Sequence, residues 1–138
     1  MNLGSKKLDS KYSSEIDTLF LLGKGKASES EILGNLIIHY SSDGTVMGLE
    51  FLNATMTLRP LLINPPGWII DKNKPDGVDP GALYLIKSAN ARMFTVGSFW
   101  LLVFYLNFEN QPNPVEARFN LPFLAQSDKN VAKALAAY

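Results

Sequence analysis

Apolar residues along the chain fall in short runs separated by turn formers, a spacing that predicts strands rather than long helices. Thr18–Leu22 (TLFLL) is one such run, closed by Gly23. Residues 33–40 (LGNLIIHY) and 45–52 (TVMGLEFL) flank Ser41-Ser42-Asp43-Gly44. The Asp-Gly pair tolerates the positive φ of a tight turn, so these two runs predict an antiparallel hairpin. Residues 81–86 (GALYLI), Phe99–Phe108 and Val115–Leu121 predict a second series of strands. The tail alone has helical spacing: after Ser127, a good N-cap, and Asp128, the residues Val131, Ala134, Leu135 and Tyr138 form an i, i+3, i+4, i+7 stripe.

Strand alternation sorts the hairpin into two faces. Leu36, Ile38, Tyr40, Met47, Leu49 and Phe51 share an apolar face suited to a core, while Ile37, His39, Val46, Gly48, Glu50 and Leu52 share a mixed one. A two-residue loop sets His39 opposite Gly48 and diagonal to Glu50, whereas a four-residue loop shifts the pairing and keeps the faces. Leu19 to Leu22 align with Leu83, Tyr84, Leu85 and Ile86 at a period of roughly 64 residues, too long for a solenoid unit, which suggests one internal duplication. The expected fold is therefore α+β and mostly β: two related antiparallel β-meanders sharing one core, with a C-terminal helix packed on the sheet. Its parts are a flexible N-terminus (1–11), a first meander (12–58), a Pro-rich connector (59–80), a second meander (81–124) and the helix (126–138). Most of the connector is expected to be loop or edge because proline cannot donate to a ladder, with Trp68, Ile69 and Ile70 as a candidate short strand.

At 138 residues the chain is long enough for one compact core. Thirteen basic residues balance thirteen acidic ones, so no global field draws it to nucleic acid, and the short groups Lys6, Lys7, Lys11 and Lys24, Lys26 lack interleaved aromatics. The absence of cysteine removes thiol chemistry and suits a reducing compartment. With no apolar segment of signal length near the start, the expected location is cytoplasmic. The most apolar stretch, residues 93–106, is too short and too interrupted to span a membrane as a helix.

Candidate chemistry is sparse. Gly23-Lys24-Gly25-Lys26 misses the spacing of a phosphate loop and reads as a turn. Asp71, Asn73, Asp76 and Asp79 resemble a calcium loop, but the order is one residue too long before Gly77, contains Pro75 and ends without the bidentate glutamate, so a solvated connector is favoured and no metal or other cofactor is expected. His39 and Glu50 form a reasonable acid-base pair, since a carboxylate orients imidazole, yet no nucleophile in a recognisable motif accompanies them and a structural histidine is favoured. The aromatics of the 99–108 run, Phe99, Phe104, Tyr105 and Phe108, read first as core. Because both faces of that strand are apolar, something must cover it, and they are the expected contact surface.

Tyr12, Glu15, Asp17, Leu19, Phe20 and Leu21, then Gly34, Ile37, Ile38, Tyr40, Asp43 and Gly44, then Val46, Gly48, Leu49, Glu50, Phe51, Leu52 and Ala54 together resemble the small prokaryotic family called domain of unknown function 2283. The likeness covers residues 12–55, about a third of the chain, and its Gly-Leu-Glu-Phe-Leu-x-Ala-Thr ending is the most specific part. Ser13, His39 and Ser41 stand where that family usually carries acidic residues. The second half follows only in outline, with Ala117 nearest to the Gly48 position and Phe119 to Glu50. No activity is assigned to the family; the resemblance implies an antitoxin-like or accessory binding role. A non-catalytic protein-protein interaction or ligand-binding module is thus expected, with a protein partner or self-association and neither membrane nor nucleic acid. The alternative is a small enzyme using His39 with Glu50.

Overall fold

The computed structural model describes residues 6–42, 45–96 and 99–121. The expected C-terminal helix at 126–138 lies outside them, as does the Asp43-Gly44 turn tip. Among the described residues eight strands, β1 Lys6–Ser13, β2 Thr18–Leu22, β3 Glu29–Leu33, β4 Leu36–Tyr40, β5 Val46–Leu52, β6 Ile86–Val96, β7 Phe99–Phe108 and β8 Val115–Leu121, form one antiparallel sheet. Its order is β3-β4-β5-β2-β1-β6-β7-β8. The protein is mostly β with a few short helices, and the sheet curls so that Leu33 and Leu36 near one edge line a common cleft with Phe119 of the other.

The inner face follows from alternation. Leu8 and Tyr12, Leu19 and Leu21, Ile38 and Tyr40, Leu49 and Phe51, Ala89, Ala91 and Met93, and Leu102, Phe104, Leu106 and Phe108 are all buried in one core. Phe51 and Phe104 meet across it with ring centroids 5.4 Å apart, joining the two halves of the chain.

The hollow of the sheet is filled by the segment between β5 and β6. Ala54 and Leu58 from helix α1 (Ala54–Thr57) and its end, Leu62, Ile69 and Val78, and Ala82 and Leu83 from helix α2 (Pro80–Tyr84) are buried with the strand residues. The proline-rich stretch expected to be a connector thus supplies core side chains. Among the described residues its backbone touches the ladder at a single bridge, Leu62 to Ala117, beside a bond from the Ile63 N–H to the Glu116 carbonyl. Trp68 packs edge-on against Phe108 at 5.1 Å, and its indole N–H donates to Gln111.

Several elements differ from the sequence-based expectation. Residues 6–11, expected to be loose, belong to the central strand Lys6–Ser13, which pairs with both β2 and β6. Residues 33–40 are the end of one strand and the whole of another, turning at Gly34, whose φ of +63° favours glycine. Of the stretch 81–86 expected as a strand, Ile86 begins β6 but residues 81–84 lie in helix α2, because Asp79 caps it by accepting from the Gly81 N–H at 2.9 Å and Pro80 suits the first helical position. The proposed duplicate of Leu19 to Leu22 therefore falls on helix and strand residues together. A bulge between His39 and Tyr40 pairs Tyr40 with Val46, so Val46 faces the core and not the mixed outer face.

Candidate functional site

The outer face of β3, β4, β5, β2 and β1 carries two cross-strand rows fixed by register. Ser30 pairs with His39, His39 with Gly48, Gly48 with Leu22 and Leu22 with Asp9. In the neighbouring row Ile32 pairs with Ile37, Ile37 with Glu50, Glu50 with Phe20 and Phe20 with Lys11.

His39 links the rows. Its Nε2 hydrogen-bonds Glu50 Oε2, and its Nδ1 lies 2.6 Å from Ser30 Oγ. An ionised carboxylate only accepts, so in the neutral imidazole Nε2 carries the proton, and Nδ1 accepts from the Ser30 hydroxyl. The side chains of His39 and Glu50 are 24% and 21% exposed, open enough to meet solvent yet held by neighbours. Gly48 leaves the room: a Cβ there would sit 2.9 Å from Leu22 Cδ2, 3.2 Å from the Leu21 carbonyl oxygen and 3.5 Å from His39 Cδ2. The expected pairing of His39 with Glu50 is present. Ser30 was missed, and its signal is Gly34-Asn35, a two-residue hairpin turn that sets residue 30 opposite residue 39.

Apolar side chains surround this polar row. Ile32 is 70% and Leu22 44% exposed, Leu52 is exposed beside them, and Ile37 and Phe20 are half-buried. A shallow cleft of about 500 Å³ continues past Phe20 and Leu22 to Asp9, Ser10, Lys11 and Gly23.

The four aromatics expected to form a contact surface divide by strand parity. Phe104 and Phe108 point inward and are fully buried, so they are core residues and present nothing to a partner. Tyr105 points outward and is 37% exposed, while Phe99 is described only by its pairing with Val96. Two aspartates of the calcium-like stretch serve local backbone: Asp71 accepts from the N–H groups of Asn73 and Lys74, and Asp79 caps α2. Among the described residues no group of three or more His, Cys, Asp or Glu is arranged to hold a metal, and no helix is long and apolar enough to cross a membrane.

A second polar cluster lies beneath the turn from β1 to β2. Asp17 Oδ1 accepts from the Tyr12 hydroxyl at 2.7 Å and from the Thr55 N–H at 3.2 Å, and Oδ2 accepts from the Thr55 hydroxyl at 2.7 Å. The Asp17 carbonyl accepts from the Ala54 N–H at 2.8 Å, which ties the turn to the start of α1. Burial, the hydrogen bond to Asp17, and the charges of Asp17 and Tyr84 push the Tyr12 phenol well above its ordinary pKa. Each member is held by another, so the cluster is an anchor.

The fold and the two rows define a mostly β protein with a hydrogen-bonded Ser-His-Glu row on the outer face of a curled antiparallel sheet. Residues 10–54 match the model of a family described as protein of unknown function (DUF2283), the segment from within β1 through β5 to Ala54. That segment contains the whole Ser-His-Glu row and, but for Thr55, the anchor. No curated protein and no solved structure matches the chain.

Proposed function

We propose that the protein is a protein-protein interaction module whose contact surface is the outer face of β3, β4, β5 and β2. The observation that supports this reading is the contiguity of Leu22, Phe20, Ile37, Ile32 and Leu52 around a polar row. Isolated exposed leucines are ordinary, but a contiguous group of apolar side chains on one sheet face marks an interaction surface. The contact therefore shifts from Phe99–Phe108, half of whose candidate aromatics are core, to the face within the family-matched segment.

The test is affinity capture from the native host with wild type, Leu22→Lys/Ile32→Lys and Tyr105→Lys, followed by reconstitution with the purified captured protein. A partner bound by wild type and by Tyr105→Lys but lost by the double variant, at equal melting temperatures, supports the reading. Equal binding by all three proteins overturns it.

A further inference from the structure

We propose that Ser30 is a nucleophile for acyl transfer from small apolar esters, with His39 as its general base and Glu50 as the residue that positions the base. The proposal uses the face assigned above to partner binding, but it needs no partner, so either can fail without the other.

Three observations carry it. The first is the continuous hydrogen-bond chain from Ser30 Oγ through His39 Nδ1 and Nε2 to Glu50 Oε2. A hydroxyl donating to an imidazole whose other nitrogen is held by a carboxylate is the arrangement that activates serine, here with the two ring nitrogens exchanged relative to the usual triad. The exchange leaves the proton path intact, because either nitrogen accepts when the other carries hydrogen.

The second observation is the position of Ser30 on an edge strand. The Leu52 N–H donates to the Asn35 carbonyl, so residues 35 and 52 are a hydrogen-bonded pair, and counting by twos 37 with 50 and 39 with 48 are as well. The backbone groups of Ile37 and His39 therefore point toward β5. Across the other side of β4, Ser30 with His39 and Ile32 with Ile37 are non-hydrogen-bonded pairs, in which side chains come closest, and this accounts for the 2.6 Å contact. It also aims the N–H groups of Ser30 and Ile32 away from β4. Since β3 ends the sheet, and no backbone bond from another described element reaches them, the Ser30 N–H is a donor beside its own Oγ. It is placed to stabilise a developing oxyanion.

The third is the apolar surface next to the hydroxyl. Ile32, two residues along the same face, and its partner Ile37 offer a strip for an acyl chain or an aromatic leaving group.

The chemistry balances with water as the only co-reactant. Ser30 Oγ bonds to the ester carbonyl carbon as its proton passes to His39 Nδ1, and the imidazolium is held by Glu50. The carbon-oxygen bond to the alcohol then breaks, the alcohol takes the proton from His39, and the acyl group remains on Ser30. Water, deprotonated by His39, attacks that ester, and the carboxylic acid leaves with Ser30 regenerated. With one backbone oxyanion donor on an open face, the geometry suits esters with good leaving groups and not amides.

The experiment has two arms on the full-length protein. A small fluorophosphonate, which bonds to an activated serine oxygen with loss of fluoride, is followed by peptide mass mapping, and hydrolysis of p-nitrophenyl butyrate is followed by absorbance. The label is expected on Ser30, and Ser30→Ala and His39→Ala are each expected to lower kcat/KM about 100-fold, within the range for losing a nucleophile or its base. Glu50→Gln should lower kcat at little changed KM and alter the pH profile, with partial recovery in Glu50→Asp, whereas a merely structural glutamate would leave the profile of the folded protein unmoved. Ile32→Ser should raise KM and spare the phosphonate reaction. A Ser30 that stays unlabelled overturns the proposal. So does a Ser30→Ala protein that hydrolyses the ester at the wild-type rate while His39→Ala does not, since that would make imidazole the nucleophile.

Discussion

Replacing Asp17 with alanine removes one carboxylate that accepts three hydrogen bonds, from the Tyr12 hydroxyl, the Thr55 N–H and the Thr55 hydroxyl. Hydrogen bonds to a charged group are worth about 1.5–3 kcal/mol each, and partial exposure of the carboxylate reduces that to about 1 kcal/mol apiece, or about 3 kcal/mol for the set. Asp17 also sits at φ +47°, a left-handed conformation that aspartate tolerates better than alanine. That preference adds up to about 1 kcal/mol, so Asp17→Ala should cost about 3–4 kcal/mol. Asp17→Gly loses the same bonds without the backbone conflict and should fall about 1 kcal/mol short of that loss. Urea melts at neutral pH, read by far-UV circular dichroism, measure all three proteins. Thr55→Val completes a double-mutant cycle, with an expected coupling of about 1 kcal/mol for the hydroxyl bond. An Asp17→Ala protein within about 1 kcal/mol of wild type, or a Thr55→Val cost unchanged by the loss of Asp17, would refute the anchor.

Tyr12 makes stability pH-dependent at the alkaline end. Its folded-state pKa is raised, so its stabilising contribution is complete below the ordinary tyrosine value of about 10 and is lost as pH rises beyond it; Tyr12→Phe should flatten that alkaline fall in chemical melts relative to wild type. Gly48→Val should destabilise by about 1–3 kcal/mol through conflict with Leu22 and the Leu21 carbonyl, and should displace the His39 ring, visible as a shift of its imidazole resonances. Phe104→Ala should cost about 3–5 kcal/mol, while Tyr105→Ala on the outer face should cost under about 1 kcal/mol; equal losses would contradict the assignment of the two residues to opposite faces. A fragment ending at Leu58 should fail to give a cooperative monomer by circular dichroism and light scattering, and a sharp monomeric transition would show that its inner face needs no cover.

The strands legible from sequence were those with dense apolar runs. Thr18–Leu22, Phe99–Phe108 and Val115–Leu121 have the bounds that the pattern alone suggests, and His39 does face Gly48, though through a bulge between His39 and Tyr40 and not through the register of a two-residue loop. Strands whose inward positions are small or sparse were hidden. In β1 only Leu8 and Tyr12 anchor the inner face, and in β6 the inward residues Ala89, Ala91 and Met93 alternate with Ser88, Asn90 and Arg92, a period-two pattern of weak contrast. Residues 81–86 show the reverse error: their apolar run outweighed Asp79-Pro80, a cap and a first-turn proline that specify a helix start. The site was half legible for the same reason. His39 and Glu50 stand out as unusual residues in an apolar hairpin, whereas Ser30 sits in a polar stretch, KASESE, whose alternation becomes visible only once Gly34-Asn35 is taken as a turn.

Side-chain parity then separates folding from candidate function. Within the family-matched segment, Leu19, Leu21, Ile38, Leu49 and Phe51 all point to one face and are buried in the core. The remainder of the chain is buried with them: Leu58, Leu62, Ile69 and Leu83 from the segment between β5 and β6, and Phe104 across the core. The added residues therefore complete a core that the matched third begins. The other face of the matched segment is left free of that task, and it is there that Ser30, His39 and Glu50 lie between exposed apolar neighbours. Substitutions on the two faces should accordingly separate: inward changes lower stability, and outward changes at Ser30, Ile32 and His39 alter binding or chemistry in a protein that still folds.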